Sequence, residues 1–364
     1  VTSTSSRWIA VVVCSSVLAL GVAACGGSSG GSEGGTISGA GSTFAQPIIS
    51  QWGSELKQQE SLTVNYNSIG SGGGIAQFQA NTVDFGDTDK AMSDEEIEVA
   101  AKNGATVHVP IVFGAVTVSY NLPGVESGLK LNGETLGDIF LGKITKWNDP
   151  AIAKLNPGAK LPGTAITVIH RSDESGTTAL FTQFLDETNK QWHEGVGTDK
   201  TVKWPTGTGA NGNEGVAGAV QQTEGAVGYV ELAYALQNEF TTAAVQNKAG
   251  KFVTPTLEST SAAGEGVKFP PDLRFSAINA STAPAAYPIA SGTFVIVYED
   301  LCKAGKSEKT AENVVAFLDY GLGEEGQQVA EKLDYAGLSP ELLKASEARV
   351  NSLKCNGETI EASS

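Results

Sequence analysis

An α/β architecture with two lobes is what the sequence predicts, on three observations. Short β-branched runs alternate with stretches of helical spacing along most of the chain. Those runs repeatedly end in loops of Gly, Ser and Thr that open the next helix. About 330 of the 364 residues remain once an N-terminal export segment is set aside, enough for two hydrophobic cores. Ligands of open α/β sheets gather at the carboxyl ends of the strands, so convergence of such loops marks where a ligand would sit. A single glycine loop would carry little weight, because turns need glycine anyway.

The first element stands apart from the fold. Arg7 precedes an apolar run from Trp8 to Val22 that is short for a membrane span, the pattern of an export signal over residues 1–24. Val22-Ala23-Ala24 ahead of Cys25 resembles a bacterial lipobox, in which Cys25 is diacylated and becomes the mature N-terminus; a plain secretory signal with an incidental Cys25 is the alternative. Residues 25–36 then read as the lipidated Cys and a flexible Gly/Ser tether. A lipid anchor of this kind holds a domain at the extracytoplasmic face of the cell membrane. Cys14 leaves with the signal, so Cys302 and Cys355 remain, an even number in an oxidising compartment, and they are expected to pair.

Along the mature chain, Gly39-Ala-Gly41 and the hydroxyls of Ser42 and Thr43 lead into a helical stripe of Phe44, Ile48, Ile49, Trp52 and Leu56, with Pro47 near its start. Leu62 to Tyr66 alternates like a strand and runs through Ser68-Ile-Gly70-Ser71-Gly-Gly-Gly74 into a helix from Ile75 to Ala80. Thr82 to Phe85 reads as a short strand ending at Gly86-Asp87-Thr88-Asp89, and Ser93-Asp-Glu-Glu96 as a capping box for the helix to Ala101. Val107–Val112 and Ala115–Leu122 are strand material broken by Gly114, where the chain would cross between lobes. Leu131 to Trp147 holds a helix and a turn. Val202-Lys-Trp-Pro205 reads as a strand before the glycine loop to Gly215, and Gly225 to Glu231 as another. Gly292 to Tyr298 is a buried strand carrying the chain back, before helices over 310–330 and 339–350.

The most informative stretch is Arg171-Ser-Asp173-Glu-Ser175-Gly176-Thr177-Thr178, between the apolar runs 165–169 and 179–181. A strand, a polar loop and a helix start are implied. The first turn of a helix has unpaired N–H groups and the positive end of the macrodipole, and this loop adds hydroxyls and a guanidinium. A small oxyanion is the expected guest.

The net charge of −16 excludes nucleic acid as a partner, which needs basic patches. It does not exclude an anion, because exposed charges beyond about 8 Å are screened at physiological salt while local dipoles are not. Three scattered histidines, His108, His170 and His193, and no clustered His/Cys spacing give no ground for a metal site or a cofactor.

Seven segments together resemble one family, the PstS-type phosphate-binding proteins that feed phosphate ABC importers. They are Gly39 to Phe44, Gly70 to Gly73, Asn81 to Gly86 with Asp89, Thr135 to Ile144, Arg171 to Thr177, Val202 to Pro205 and Gly225 to Glu231. The resemblance runs from about Ile37 to Leu343. It implies a two-lobed periplasmic-binding-protein-like fold of type II, with the ligand in the inter-lobe cleft: lobe I from residues 37–114 plus 290–364, lobe II from 115–289. It implies a phosphate site in which Thr43, the Phe44 N–H and Ser71 donate from one lobe, and Arg171, Ser175, Gly176 and Thr177 from the other. Asp173 would orient Arg171, and Asp89 would be the lone acceptor. Asp87, two residues before Asp89, and Glu174, where many relatives have glycine, are departures from the pattern.

The implied function is high-affinity capture of inorganic phosphate and its delivery to membrane permease subunits, with no catalytic residue. A binding protein for sulfate or molybdate, a surface sensor of phosphate and a secreted phosphatase stay open as alternatives. The phosphatase would need a base or metal beside Ser71 or Ser175, and no spacing supplies one. His170 adjoins Arg171 in a strand, where alternation points it to the opposite face, so it is read as packing or surface.

Overall fold

A computed structural model describes residues 34–360; the export segment, Cys25 and the tether through residue 33 lie outside the described residues. Strands Thr36–Gly41 (β1), Thr63–Ser68 (β2) and Phe85–Thr88 (β3) run parallel with β1 in the middle. The Gly35 carbonyl already accepts from Thr63 N–H at 2.8 Å, so the end of the expected tether belongs to the sheet. Helix Gln46–Gln59 (α1) buries Ile48, Ile49, Trp52 and Leu56, the stripe its spacing predicts, with Pro in the first turn where no N–H is needed. Phe44 lies ahead of this helix and is buried on its own account.

Helix Ser71–Gln79 (α2) starts four residues before the expected Ile75 and contains three consecutive glycines. Each glycine costs about 1 kcal/mol of helix propensity. Close approach explains Gly74, where a Cβ would collide with the β1 backbone at Ala40 and Gly41. The ladder of β3 begins at Phe85 rather than Thr82, because the Asp84 carboxylate takes the Ser38 N–H at 2.8 Å. Ser93 and Glu96 form the expected capping box on helix Asp94–Ala100 (α3).

One strand, Thr106–Tyr120 (β4), joins the two halves of the sheet. Its residues up to Ala115 pair antiparallel with Ala290–Tyr298, and from Val116 onward with Ala226–Glu231. Gly114 does not interrupt it: glycine is required there because a Cβ would meet the buried Phe44 ring. Strand 290–298 also pairs antiparallel with β3, closing the first half. In the second half, Thr167–Arg171 lies parallel to 226–231, and Thr208–Ala210 parallel to 167–171. Residues 202–205 are loop, contrary to the expected strand. Pro205 has no N–H for a ladder, and the Trp204 ring stacks on His170 and Tyr229. The C-terminal helix expected over 310–330 is two, Glu308–Leu322 and Glu324–Lys332, hinged at Gly323.

With helices packed on this mixed sheet, the chain has a two-lobed α/β fold whose lobes are joined through β4. His108 is buried in the first half, where its Nε2 accepts the Met92 N–H at 3.1 Å. Burial pushes its pKa down to about 3, so this histidine is a neutral structural acceptor. Among the described residues no helix is long and apolar enough to cross a membrane.

Cys302 and Cys355 are bonded, as expected, across a sequence separation of 53. The bridge ties the turn after strand 290–298 to the small hairpin formed by Lys354–Cys355 and Glu358–Thr359. Replacing both cysteines by Ser should cost about 2–4 kcal/mol of stability, the usual worth of closing a loop of this length. Urea unfolding of the double variant checks this, and ligand affinity should be unchanged.

Candidate functional site

Four loops meet where the two halves of the sheet face each other. The first follows β1, the second opens α2, and the third follows β3. The fourth follows strand Thr167–Arg171 and opens helix Gly176–Thr188. That helix begins as its sequence predicts: Ser175 is extended and its hydroxyl accepts the Thr178 N–H at 3.1 Å, which leaves the hydroxyl hydrogen free to donate. The loop is tied to its surroundings by Ser175 N–H to the Lys200 carbonyl at 2.9 Å and by the Glu174 carbonyl, which accepts the Gly72 N–H at 3.0 Å from the other half.

Arg171 ends its strand fully enclosed, with only 3% of its surface exposed. Its Nε donates to Asp173 Oδ1 at 2.7 Å, its second nitrogen to Asp173 Oδ2, and its third to Thr177 Oγ1 at 3.2 Å. Asp173 also accepts the Gly212 N–H at 3.1 Å. Burial works to raise the Asp173 carboxyl, but the hydrogen bonds and charge of Arg171 outweigh it and hold it below its ordinary value. The guanidinium is thus clamped in one plane.

Asp89 faces it from the first half. The carboxylate is buried; Oδ1 accepts Ser42 Oγ–H at 2.6 Å and lies 2.9 Å from Thr293 Oγ1, while Oδ2 has only the long 3.4 Å contact with Ser71 Oγ. Burial pushes its pKa up to about 6, against the pull of Ser42, Thr293, Arg171 and Ser71. A Cβ on Gly176 would collide with Ser71 Oγ and Asp89 Oδ2, so the helix start and the carboxylate approach within a side chain's thickness. Gly176→Ala should force the halves apart and weaken ligand capture about tenfold, the scale of modest overpacking; equilibrium dialysis against the unaltered chain reads it.

Thr43 is brought to the same place by Asn213, whose Nδ2 reaches Thr43 Oγ1 at 2.9 Å and Thr177 Oγ1 at 3.3 Å. The Phe44 N–H, expected to face the ligand, instead donates to Ser42 Oγ at 2.9 Å. Thr43, Ser71, Asp89, Arg171, Asp173, Gly176 and Thr177 are thus brought together, with Ser175 capping the adjoining helix, and hydroxyls beside a clamped guanidinium are groups that can grip a small anion. Hydroxyls and one buried guanidinium lie around a single carboxylate, whose Oδ2 has only the long contact with Ser71 Oγ.

Several participants were not singled out from the sequence. Ser42 stood beside Thr43 in an obvious hydroxyl loop, but Thr293 sits in an apolar strand, where Thr is an ordinary β-former. Asn213 follows a glycine loop and has no distinguishing pattern. Lys200 is 5% exposed and forms an ion pair with Glu96 of α3, linking the halves beside the Ser175 loop. His170 stacks on Trp204 and bonds the Arg171 carbonyl, a packing role. Ser71 and Ser175 have no histidine among their hydrogen-bond partners in the described residues.

The PBP superfamily domain matches residues 26–325. A phosphate-binding protein PstS from Xylella fastidiosa (strain 9a5c) is 43% identical over 314 residues, covering 86% of this chain and 84% of that protein. The chain belongs to the PstS family. The PstS of Methanocaldococcus jannaschii is 37% identical over 337 residues, covering 86% of this chain and 85% of its own. Among solved structures, the high affinity periplasmic phosphate-binding protein PfluDING, bound with phosphate, superposes with a TM-score of 0.73 over 90% of this chain and 99% of its own at 21% identity. The phosphate-binding protein of Stenotrophomonas maltophilia gives 0.66 over 89% and 99% at 21% identity. At those identities the structures establish the fold and no more.

Proposed function

We propose that this chain binds inorganic phosphate outside the cytoplasmic membrane and hands it to the permease of an ABC importer, without catalysing a reaction on it. Asp89 is the observation that carries the reading. A buried acceptor whose second oxygen is directed at a cluster of donors fits an anion that still has a proton to give. Phosphate near neutral pH has one and sulfate has none.

In this reading Thr43 and Ser71 donate from lobe I, residues 37–114 plus 290–364. Arg171, the Ser175 hydroxyl and the Gly176 and Thr177 N–H groups donate from lobe II, residues 115–289. The Phe44 N–H stays on Ser42 Oγ, and Asp173 keeps Arg171 in plane. Micromolar capture needs about −8 kcal/mol, within reach of several charge-assisted bonds once the cost of closure is subtracted. Hinge closure about β4 would trap the ligand, with the Lys200–Glu96 pair bridging the closed lobes. Cys25 would carry the lipid that keeps the domain at the outer face of the membrane, and the closed form would dock on permease subunits.

Titration calorimetry of the purified chain with phosphate, sulfate and molybdate at neutral pH tests the reading. Phosphate should bind at least a thousandfold more tightly than sulfate, on the order expected for a buried unpaired group; equal heats for sulfate or molybdate would assign the site to another tetrahedral anion. The pH dependence follows from Asp89. Above its pKa of about 6 it accepts the ligand's proton; below, it becomes a donor and tolerates sulfate. Sulfate competition should therefore grow as pH falls through 6.

A further inference from the structure

Directly behind Asp89 lies a second carboxylate for which anion binding alone gives no role. Asp87 is the third residue of β3 and is fully buried. Its Oδ1 is 3.2 Å from Thr293 Oγ1, and its Oδ2 has no hydrogen-bond partner among the described residues. Thr293 Oγ1 is in turn 2.9 Å from Asp89 Oδ1. One hydroxyl thus sits between two carboxylates, and it has one hydrogen to donate. If both acids were ionised, that hydrogen could satisfy only one of them, and two like charges would be enclosed together.

Among the described residues the only buried cation facing this group is Arg171, across the cleft, and its charge acts on Asp89. The other ionisable neighbours are acids: Tyr66 from β2 and, beyond Asp89, Glu231, Tyr234 and Tyr335. Burial first, and then the charge of Asp89, raise the Asp87 carboxyl well above its ordinary range.

We propose that Asp87 is a positioning residue for the ligand-accepting carboxylate: as the neutral acid it donates to Thr293 Oγ, which commits the hydrogen of that hydroxyl to Asp89. Asp87 never touches the ligand. The chain of donors runs Asp87, Thr293, Asp89, and it keeps Asp89 ionised and its Oδ2 available as an acceptor. A neutral Asp87 also explains how an extra carboxylate is tolerated next to a site for an anion. This proposal rests on the phosphate reading, because it concerns the residue that selects the protonated anion.

Sulfate competition against bound phosphate, measured across pH in the full chain, reads the protonation of Asp89. Asp87→Ala removes the donor to Thr293 and frees that hydroxyl to turn its hydrogen to the Thr88 carbonyl, 3.4 Å away, so the pH at which sulfate begins to compete should rise by about one unit, the scale of one hydrogen bond to a charged group. Asp87→Asn can still donate to Thr293 and should leave that pH where it is in the unaltered chain. Equal midpoints in all three proteins would reduce Asp87 to packing. A midpoint that falls in Asp87→Asn would show that Asp87 is charged, and would likewise overturn the proposal. A wild-type chain that binds no phosphate at any pH would sink the phosphate reading itself, a distinguishable result. Should Asp87→Ala not fold, infrared spectroscopy provides a second measurement at neutral pH: the C=O band of a buried carboxylic acid should be present in the unaltered chain and reduced in Asp87→Asn. No difference between the two would count against the proposal.

Discussion

Asp89→Asn is expected to make sulfate an effective competitor for the site. The substitution keeps the shape of the side chain and replaces a negative acceptor by a group that can donate. Oδ1 already accepts from Ser42 and is approached by Thr293, so the change falls on the position of Oδ2, beside Ser71 and Gly176. In the unaltered protein a fully deprotonated anion would place an oxygen against that carboxylate with no hydrogen between them. The penalty is that of an unpaired buried group, several kcal/mol, or a ratio on the order of 10³–10⁴. With Asn the penalty becomes a hydrogen bond, and most of that ratio should vanish while phosphate affinity falls far less. Competition calorimetry at pH 7.5 measures it. An unchanged phosphate-to-sulfate ratio would falsify the role given to Asp89.

Arg171→Ala should weaken phosphate capture by about 10²–10³-fold. Truncating one member of a buried, hydrogen-bonded charge pair costs about 2–5 kcal/mol, part of it the charge left behind. Here that charge is Asp173, which would keep backbone N–H partners such as Gly212 but lose the guanidinium, and would now repel the anion it formerly helped to hold. Arg171→Lys should recover a minor part, because an ammonium cannot bond both Asp173 oxygens and Thr177 at once, as the planar fork does. Equilibrium dialysis with labelled phosphate gives the affinity, and wild-type binding by Arg171→Ala would place the cation elsewhere.

The segment from Thr167 to Thr188 was legible because strand, loop and helix cap are all local. A β-branched run, a polar loop and Ser175 ahead of an apolar stripe leave little choice. The same holds for Ser93 and Glu96, whose reciprocal bonds span three residues. Where expectations missed, a distant contact had decided. Trp204 left the expected strand to stack within an aromatic cluster, and Gly114 proved to be clearance for Phe44 rather than a break. The α2 helix runs through three glycines where Gly74 lies tight against the β1 backbone and Gly72 against the Glu174 side chain.

The sequence by itself determined the class of fold, the helix caps, the pairing of two cysteines and the residue types of an anion site, since each depends on short-range periodicity or on composition. Tertiary structure alone decided which groups support that site. Thr293, Asn213 and Lys200 lie far along the chain from the residues they hold, and nothing in their own neighbourhoods distinguishes them. It also separated two acids that are two residues apart. Asp89 faces Arg171 across the cleft, whereas Asp87 is enclosed behind it, and the protonation of a carboxyl depends on the dielectric and the charges around it, which only the folded chain supplies.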